Sequence, residues 1–106
     1  MKSESRFGLQ PETIEKLIQV LSRNERVEQV VIYGSRAKGT YRNGSDIDLT
    51  MKGKYLEWKD LQEIEQAIDD LSLPYKIDLS IYEQIDNKEL REHIDRCGKE
   101  FLVNDC

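Results

Sequence analysis

The 106-residue sequence predicts an α/β fold, a small sheet of at least three strands packed by about four helices. Apolar residues recur at helical spacing in three stretches. Between them lie short β-branched runs, and glycine, proline or asparagine punctuates nearly every junction. The order read along the chain is helix, strand, helix, strand, helix, strand, helix, without an internal repeat, low-complexity segment or linker. A 12.4 kDa chain fits one domain with one modest core.

Residues 1–10 read as a flexible leader and 11–106 as the single domain. Pro11 suits a first helical position, and Ile14, Leu17, Ile18 and Leu21 follow at i, i+3, i+4 and i+7, so a helix is expected over about Pro11 to Arg23. Asn24-Glu25-Arg26 closes it. The apolar run ending Val30-Val31-Ile32-Tyr33 predicts a buried strand over about Val27 to Tyr33, which stops at Gly34-Ser35. A short helix is expected to open at Arg36, and Thr40 to Ser45, with Asn43-Gly44, reads as loop. The second strand runs from about Asp46 to Lys52 and breaks at Gly53-Lys54. Leu61, Ile64, Ile68 and Leu71 mark a helix over about Glu57 to Leu71, ended by Leu73-Pro74. Tyr75 to Tyr82 supplies a third strand. The last helix starts near Asp86-Asn87, with Glu89 at capping-box spacing from Asp86, and turns Leu90, Ile94 and Cys97 inward before Gly98.

Composition narrows the function. Hydrophobic residues at 38% and charged residues at 35% describe a folded chain with a heavily charged surface. The apolar runs are only a few residues long and Met1-Lys2-Ser3-Glu4 leads into no signal region, so a cytoplasmic protein without a membrane span is expected. Cys97 and Cys106 lack metal or redox spacing and read as reduced thiols. The net charge of -5 argues against general nucleic-acid binding. From Tyr33 to Lys54, however, five basic residues face two acidic ones, a local +3 that leaves -8 elsewhere. A small positive site on an acidic body suits a polyphosphate.

Asp46 and Asp48 stand at i and i+2 on a strand, so both carboxylates share one face while Ile47 and Leu49 share the other. Like charges placed so closely call for a cation. Ile77-Asp78-Leu79 repeats the pattern of Ile47-Asp48-Leu49, and if the two strands are neighbours three carboxylates converge. Hard cations such as Mg²⁺ take carboxylate oxygens and complete their shell with substrate phosphates. A two-metal site, with ions roughly 3.5 to 4 Å apart, would use Asp46 and Asp48 for both and Asp78 for the ion beside the nucleophile. At the other end of the substrate, Gly34 admits a phosphate close to the backbone and Ser35 offers a hydroxyl and an amide. A helix N-terminus at Arg36 would add positive potential, with Arg36 and Lys38 as candidate phosphate contacts.

Gly34-Ser35-Arg36-Ala37-Lys38-Gly39-Thr40, then Gly44-Ser45-Asp46-Ile47-Asp48-Leu49, and later Lys76-Ile77-Asp78-Leu79, resembles the minimal nucleotidyltransferases (MNT domains) of the DNA polymerase β superfamily, over about Ile14 to Phe101. The resemblance implies a nucleotidyltransferase fold with a mixed sheet and Mg²⁺-dependent transfer of a nucleoside monophosphate from a triphosphate, ATP as the expected donor. It implies metal ligation by Asp46, Asp48 and Asp78 and nucleotide binding by Gly34 and Ser35, with Ser45 in the same motif. Many such domains resemble MntA-type antitoxins that inhibit a HEPN-domain ribonuclease by binding it and adding AMP to a tyrosine. Larger relatives append a helical acceptor domain, and none is expected here. The expectation is therefore transfer of AMP to a protein acceptor, a HEPN-type toxin. Two alternatives stand beside it: a binding-only antitoxin without turnover, and transfer to a small hydroxylated molecule such as an aminoglycoside.

The remaining candidates have simpler readings. His93, the only histidine, reads as packing or surface, and Tyr33 as strand packing. Tyr55 and Trp58 read as packing at the start of a helix or as a partner surface. Glu63, Glu65, Asp69 and Asp70 read as a solvated helix face. The small core suggests that a partner or second copy covers some apolar surface.

Overall fold

The computed structural model describes residues 6–104. It contains α1 (Pro11–Ser22), β1 (Gln29–Tyr33), α2 (Ser35–Lys38), β2 (Ile47–Lys52), α3 (Trp58–Asp69), β3 (Ile77–Ile81), a 3₁₀ turn (Tyr82–Gln84), α4 (Lys88–Cys97) and β4 (Lys99–Val103). The strands form one mixed sheet in the order β3-β2-β1-β4. β1 is antiparallel to β2 and β4, whereas β2 and β3 run parallel, joined by a crossover through α3.

Alternation along the strands decides what each face meets. Val30 and Ile32 of β1, Ile47, Leu49 and Met51 of β2, and Leu79 and Ile81 of β3 turn toward α1 and α3. There they bury against Ile14, Leu17, Leu21, Leu61, Ile64 and Ile68. The opposite face carries Val31 and Tyr33, which pack under Ile94 of α4 in a second, smaller cluster. This thinner cover leaves Asp48 half-exposed and Asp78 exposed, so carboxylates are tolerated on one face of the sheet and apolar side chains fill the other.

The helix termini follow from their sequences. Pro11 opens α1. At α3, Glu57 is the N-cap of a reciprocal capping box with Asp60, whose Oδ2 accepts the Glu57 amide at 2.8 Å. Asp60 is itself buried and also accepts from Asn24 (3.0 Å) and Arg26 (3.3 Å), which fastens the α1–β1 turn to α3. Hydrogen bonds hold its pKa below the ordinary carboxylate value of 3.8: burial pushes it up, but the Asn24, Glu57 and Arg26 donors together outweigh burial.

Three details differ from the sequence reading. The chain does not end on a helix. After Gly98, Lys99–Val103 pairs with β1 across a bulge between Val30 and Val31 and forms the outer strand on that side. The last helix is capped one residue later than expected, by Asn87, whose Oδ1 accepts the Leu90 amide at 3.0 Å. The leader also joins the domain earlier than Pro11. Leu9 is fully buried in the main core, Phe7 packs against Phe101 with ring centroids 6.2 Å apart, and the Leu9 amide donates to Arg6 O at 2.8 Å. Residues 1–5 of the expected leader, and Cys106, lie outside the described residues.

Candidate functional site

The register brings the predicted carboxylates together. Tyr33 of β1 pairs with Asp48 of β2, and Asp48 pairs with Asp78 of β3, so three adjacent strands present these side chains in one row on the α4 face. Asp46 lies one residue before β2 begins, exposed, two positions from Asp48. The charges are felt. The Asp48 carboxyl is pushed above its ordinary pKa, first by burial and then by the negative charges of Asp78 and Asp46, with His93 partly offsetting them. The Tyr33 phenol is also raised, by burial and then by Asp78 and Asp48, against a hydrogen bond with Ser80.

None of the three aspartates has a lysine or arginine ion-pair partner among the described residues. No three His, Cys, Asp or Glu side chains among those residues are gathered into a finished metal cage. What stands here is an open row of oxygen donors at which negative charge is costly. Oxygen-only chemistry with unbalanced charge fits a hard divalent cation such as Mg²⁺, with Asp46, Asp48 and Asp78 as the residues that would hold it.

The Gly34–Ser35 turn is built against this row. Gly34 has φ 76° and ψ -155°, a conformation open in practice to glycine alone, and a Cβ there would collide with Asp48 Oδ2. The turn and the middle carboxylate are thus in direct apposition, and the chain needs glycine to allow it. α2 follows as a single turn whose Ser35, Arg36 and Ala37 amides precede the first intrahelical bond, Lys38 N–H to Gly34 O at 3.1 Å. Four residues sum to little macrodipole, so an anion placed here would meet those amides rather than the field of a long helix.

Arg36 is a correction. Expected to reach a phosphate, it is 3% exposed and turned inward. Its Nε and Nη2 donate to Ser45 O at 3.2 and 2.9 Å, and its Nη1 donates to Phe7 O at 2.9 Å. The Tyr41 and Tyr75 rings flank the guanidinium, with centroids 5.2 and 5.1 Å away. With three of its five N–H donors on carbonyls and its side chain buried, this arginine is turned away from solvent and from the Gly34–Ser35 turn's open side. It ties together the N-terminal segment, the residue before Asp46 and the approach to β3. Ser45, expected at the nucleotide, uses its Oγ to accept the Arg42 amide at 2.8 Å and its carbonyl to hold Arg36. Lys38 is exposed beyond the turn.

His93 is the residue whose setting the sequence reading missed. Its ring meets Tyr33 edge-on, centroids 6.2 Å apart, which places it beside the carboxylate row. Its position next to Ile94 on α4 was legible; the meeting of α4 with β1 was not. Tyr55 and Trp58, in contrast, are 74% and 62% exposed and lie past the far end of β2 from the aspartates.

The sequence model of the family described as "Polymerase beta, Nucleotidyltransferase" matches residues 15–105. No curated protein matches the sequence. Among solved structures, a toxin–antitoxin complex with AMP-PNP aligns at TM-score 0.70 and 23% identity, covering 85% of this chain and 73% of that one. The toxin–antitoxin MntA-HepT aligns at 0.64 and 18%, covering 89% and 73%. A tri-AMPylated Shewanella oneidensis HEPN toxin in complex with MNT antitoxin aligns at 0.65 and 17%, covering 90% and 73%. At these identities the likeness is one of fold.

Proposed function

Since the chain belongs to the polymerase β nucleotidyltransferase family, we propose that it transfers AMP from Mg²⁺-bound ATP to a protein acceptor, a HEPN-type toxin that it thereby neutralises as an antitoxin. The observation that carries this reading is the apposition of Gly34 and Asp48, which makes the phosphate turn and the carboxylate row one corner. The solved complexes of similar fold point the same way for partner and nucleotide, since one holds AMP-PNP and another an AMPylated HEPN toxin.

In this reading Gly34 and Ser35 receive the β- and γ-phosphates at the turn. Asp46, Asp48 and Asp78 would hold the divalent cations, whose charge when bound would offset that of the phosphates and of the carboxylate row. The acceptor oxygen forms its bond to the α-phosphorus as the bond from that phosphorus to the pyrophosphate breaks. Pyrophosphate leaves from the Gly34–Ser35 side and the hydroxyl proton passes to solvent on the exposed Asp78 side. Arg36 contacts no reacting group and holds the Ser45 carbonyl, hence the backbone leading into Asp46.

The test is intact mass of the product of the adjacent gene after incubation with Mg²⁺-ATP and this protein. Addition of AMP is expected with wild type and none with Asp46→Ala/Asp48→Ala. A wild-type reaction that leaves the partner's mass unchanged sinks the proposal. Neutralisation that survives the double substitution assigns the protein to the binding-only class.

A further inference from the structure

The strand that carries Asp78 is also a sheet edge. β3 pairs with β2 on one side and, among the described residues, with no strand on the other. In its parallel ladder the Ile47 amide donates to Lys76 O at 2.9 Å, so the bonding groups of residues 76, 78 and 80 turn toward β2. The backbone groups of Ile77 and Leu79 point away from the sheet, and among the described residues no backbone hydrogen bond covers them. A free edge of this kind is a template for another strand.

Beside the edge, on the α3 face, runs a groove of about 570 Å³ lined by Tyr75, Lys76, Ile77 and Leu79 and by Glu65 and Asp69 of α3. Glu65 and Asp69 are exposed and in no ion pair among the described residues. Two acidic side chains against one lysine favour a basic occupant. Asp78, between Ile77 and Leu79, faces the opposite side, toward the carboxylate row.

We propose that β3 is the acceptor-docking edge, where an extended basic segment of the partner protein adds as a fifth strand and presents the hydroxyl that receives the nucleotide. The inference rests on the transferase reading above and deepens it. A strand added at the usual spacing of about 4.8 Å places alternate side chains over the groove and over the carboxylate face. The side chain level with Asp78 then stands next in the row Tyr33, Asp48, Asp78, one strand further out. From there a tyrosine spans back over Asp78 toward Asp48, whereas a serine hydroxyl stays close to its own strand. Lysine or arginine at alternate positions would meet Glu65 and Asp69. The edge thus couples recognition to chemistry, because one five-residue strand supplies both the backbone template and a catalytic carboxylate.

The test measures amide hydrogen exchange of this protein, residue by residue, with and without a saturating amount of the product of the adjacent gene. It is run beside partner affinity of Glu65→Lys/Asp69→Lys. Slowed exchange at Ile77 and Leu79 in the mixture is expected, together with partner binding weakened at least about tenfold in the charge-reversed variant. Its affinity for Mg²⁺-ATP should stay unchanged. Exchange at Ile77 and Leu79 that does not slow, whether a complex docks elsewhere or none forms, overturns the proposal. So does wild-type partner affinity in the reversed variant, or protection that grows with the concentration of this chain alone, which would mean that a second copy covers the edge. AMP added to the partner without protection of these amides refutes docking alone; protection without AMP transfer refutes the transferase reading alone.

Discussion

Replacing Asp48 with asparagine should make the free protein more stable while ending its activity. Asp48 sits between two other carboxylates, one on the neighbouring strand and one two residues back, without a cation partner among the described residues. Carboxylates about 5 Å apart at an effective dielectric of roughly 40 to 80 repel by about 0.8 to 1.7 kcal/mol. The exposure of Asp46 and Asp78 screens this, leaving a net gain of about 1 kcal/mol for Asp48→Asn, or about 4–8 °C in Tm for a domain of this size. The pH dependence has a definite sign. Because the folded-state pKa of Asp48 is raised above 3.8, its protonation favours the fold at low pH, and that advantage is lost as pH rises through the raised value. The variant should therefore gain on wild type above about pH 4 and match it below. Thermal unfolding across pH 3.5–8 in low salt, with and without Mg²⁺, measures this. Mg²⁺ should narrow the gap by stabilising wild type alone, and high salt should narrow it by screening. A variant less stable than wild type at pH 7 without Mg²⁺ would refute the account of an uncompensated carboxylate row.

Gly34→Ala should abolish transfer and cost about 1–3 kcal/mol in denaturant unfolding, because alanine is strained at that φ and its methyl collides with Asp48; a fully active variant would contradict the apposition. Arg36→Met should cost about 2–4 kcal/mol by orphaning the Phe7 and Ser45 carbonyls, with Arg36→Lys a poor rescue, since one ammonium cannot span both acceptors. Urea unfolding reads the loss, and a wild-type midpoint in either variant contradicts the buried role. Asp60→Asn should cost about 2 kcal/mol at pH 7, from the weakened cap and the lost charge-assisted bonds. Here the sign is opposite to that of Asp48: the lowered pKa means that stability is present above 3.8 and lost as pH falls through the folded value. The gap between Asp60→Asn and wild type should therefore shrink in acid.

The legible parts of the fold were those governed by local pattern. The heptad-like spacing of Ile14, Leu17 and Leu21, and of Leu61, Ile64 and Ile68, placed two helices on the core without reference to anything distant. The carboxylate row was legible because period-two alternation fixes the face of Asp48 and Asp78 once their strands are neighbours. β4 was missed because five residues after a helix carry little periodic signal, and only pairing with β1 makes them a strand. Leu9 was missed for a similar reason: a single apolar residue ahead of a helix gains meaning when a core closes over it. Arg36 was misassigned because its partners, Phe7 and Ser45, are 29 and 9 residues away. A cation beside a Gly-Ser turn looks functional until the carbonyls it bonds are seen.

The central claim is that Gly34, Ser35, Asp46, Asp48 and Asp78 form one donor site. The most direct measurement is a crystal structure with Mn²⁺ and a non-hydrolysable ATP analogue, with the ions located by anomalous scattering. The account predicts manganese among the three aspartates and the β- and γ-phosphates on the Gly34–Ser35 amides. Manganese elsewhere, or a triphosphate that bypasses the Gly34 turn, would contradict it.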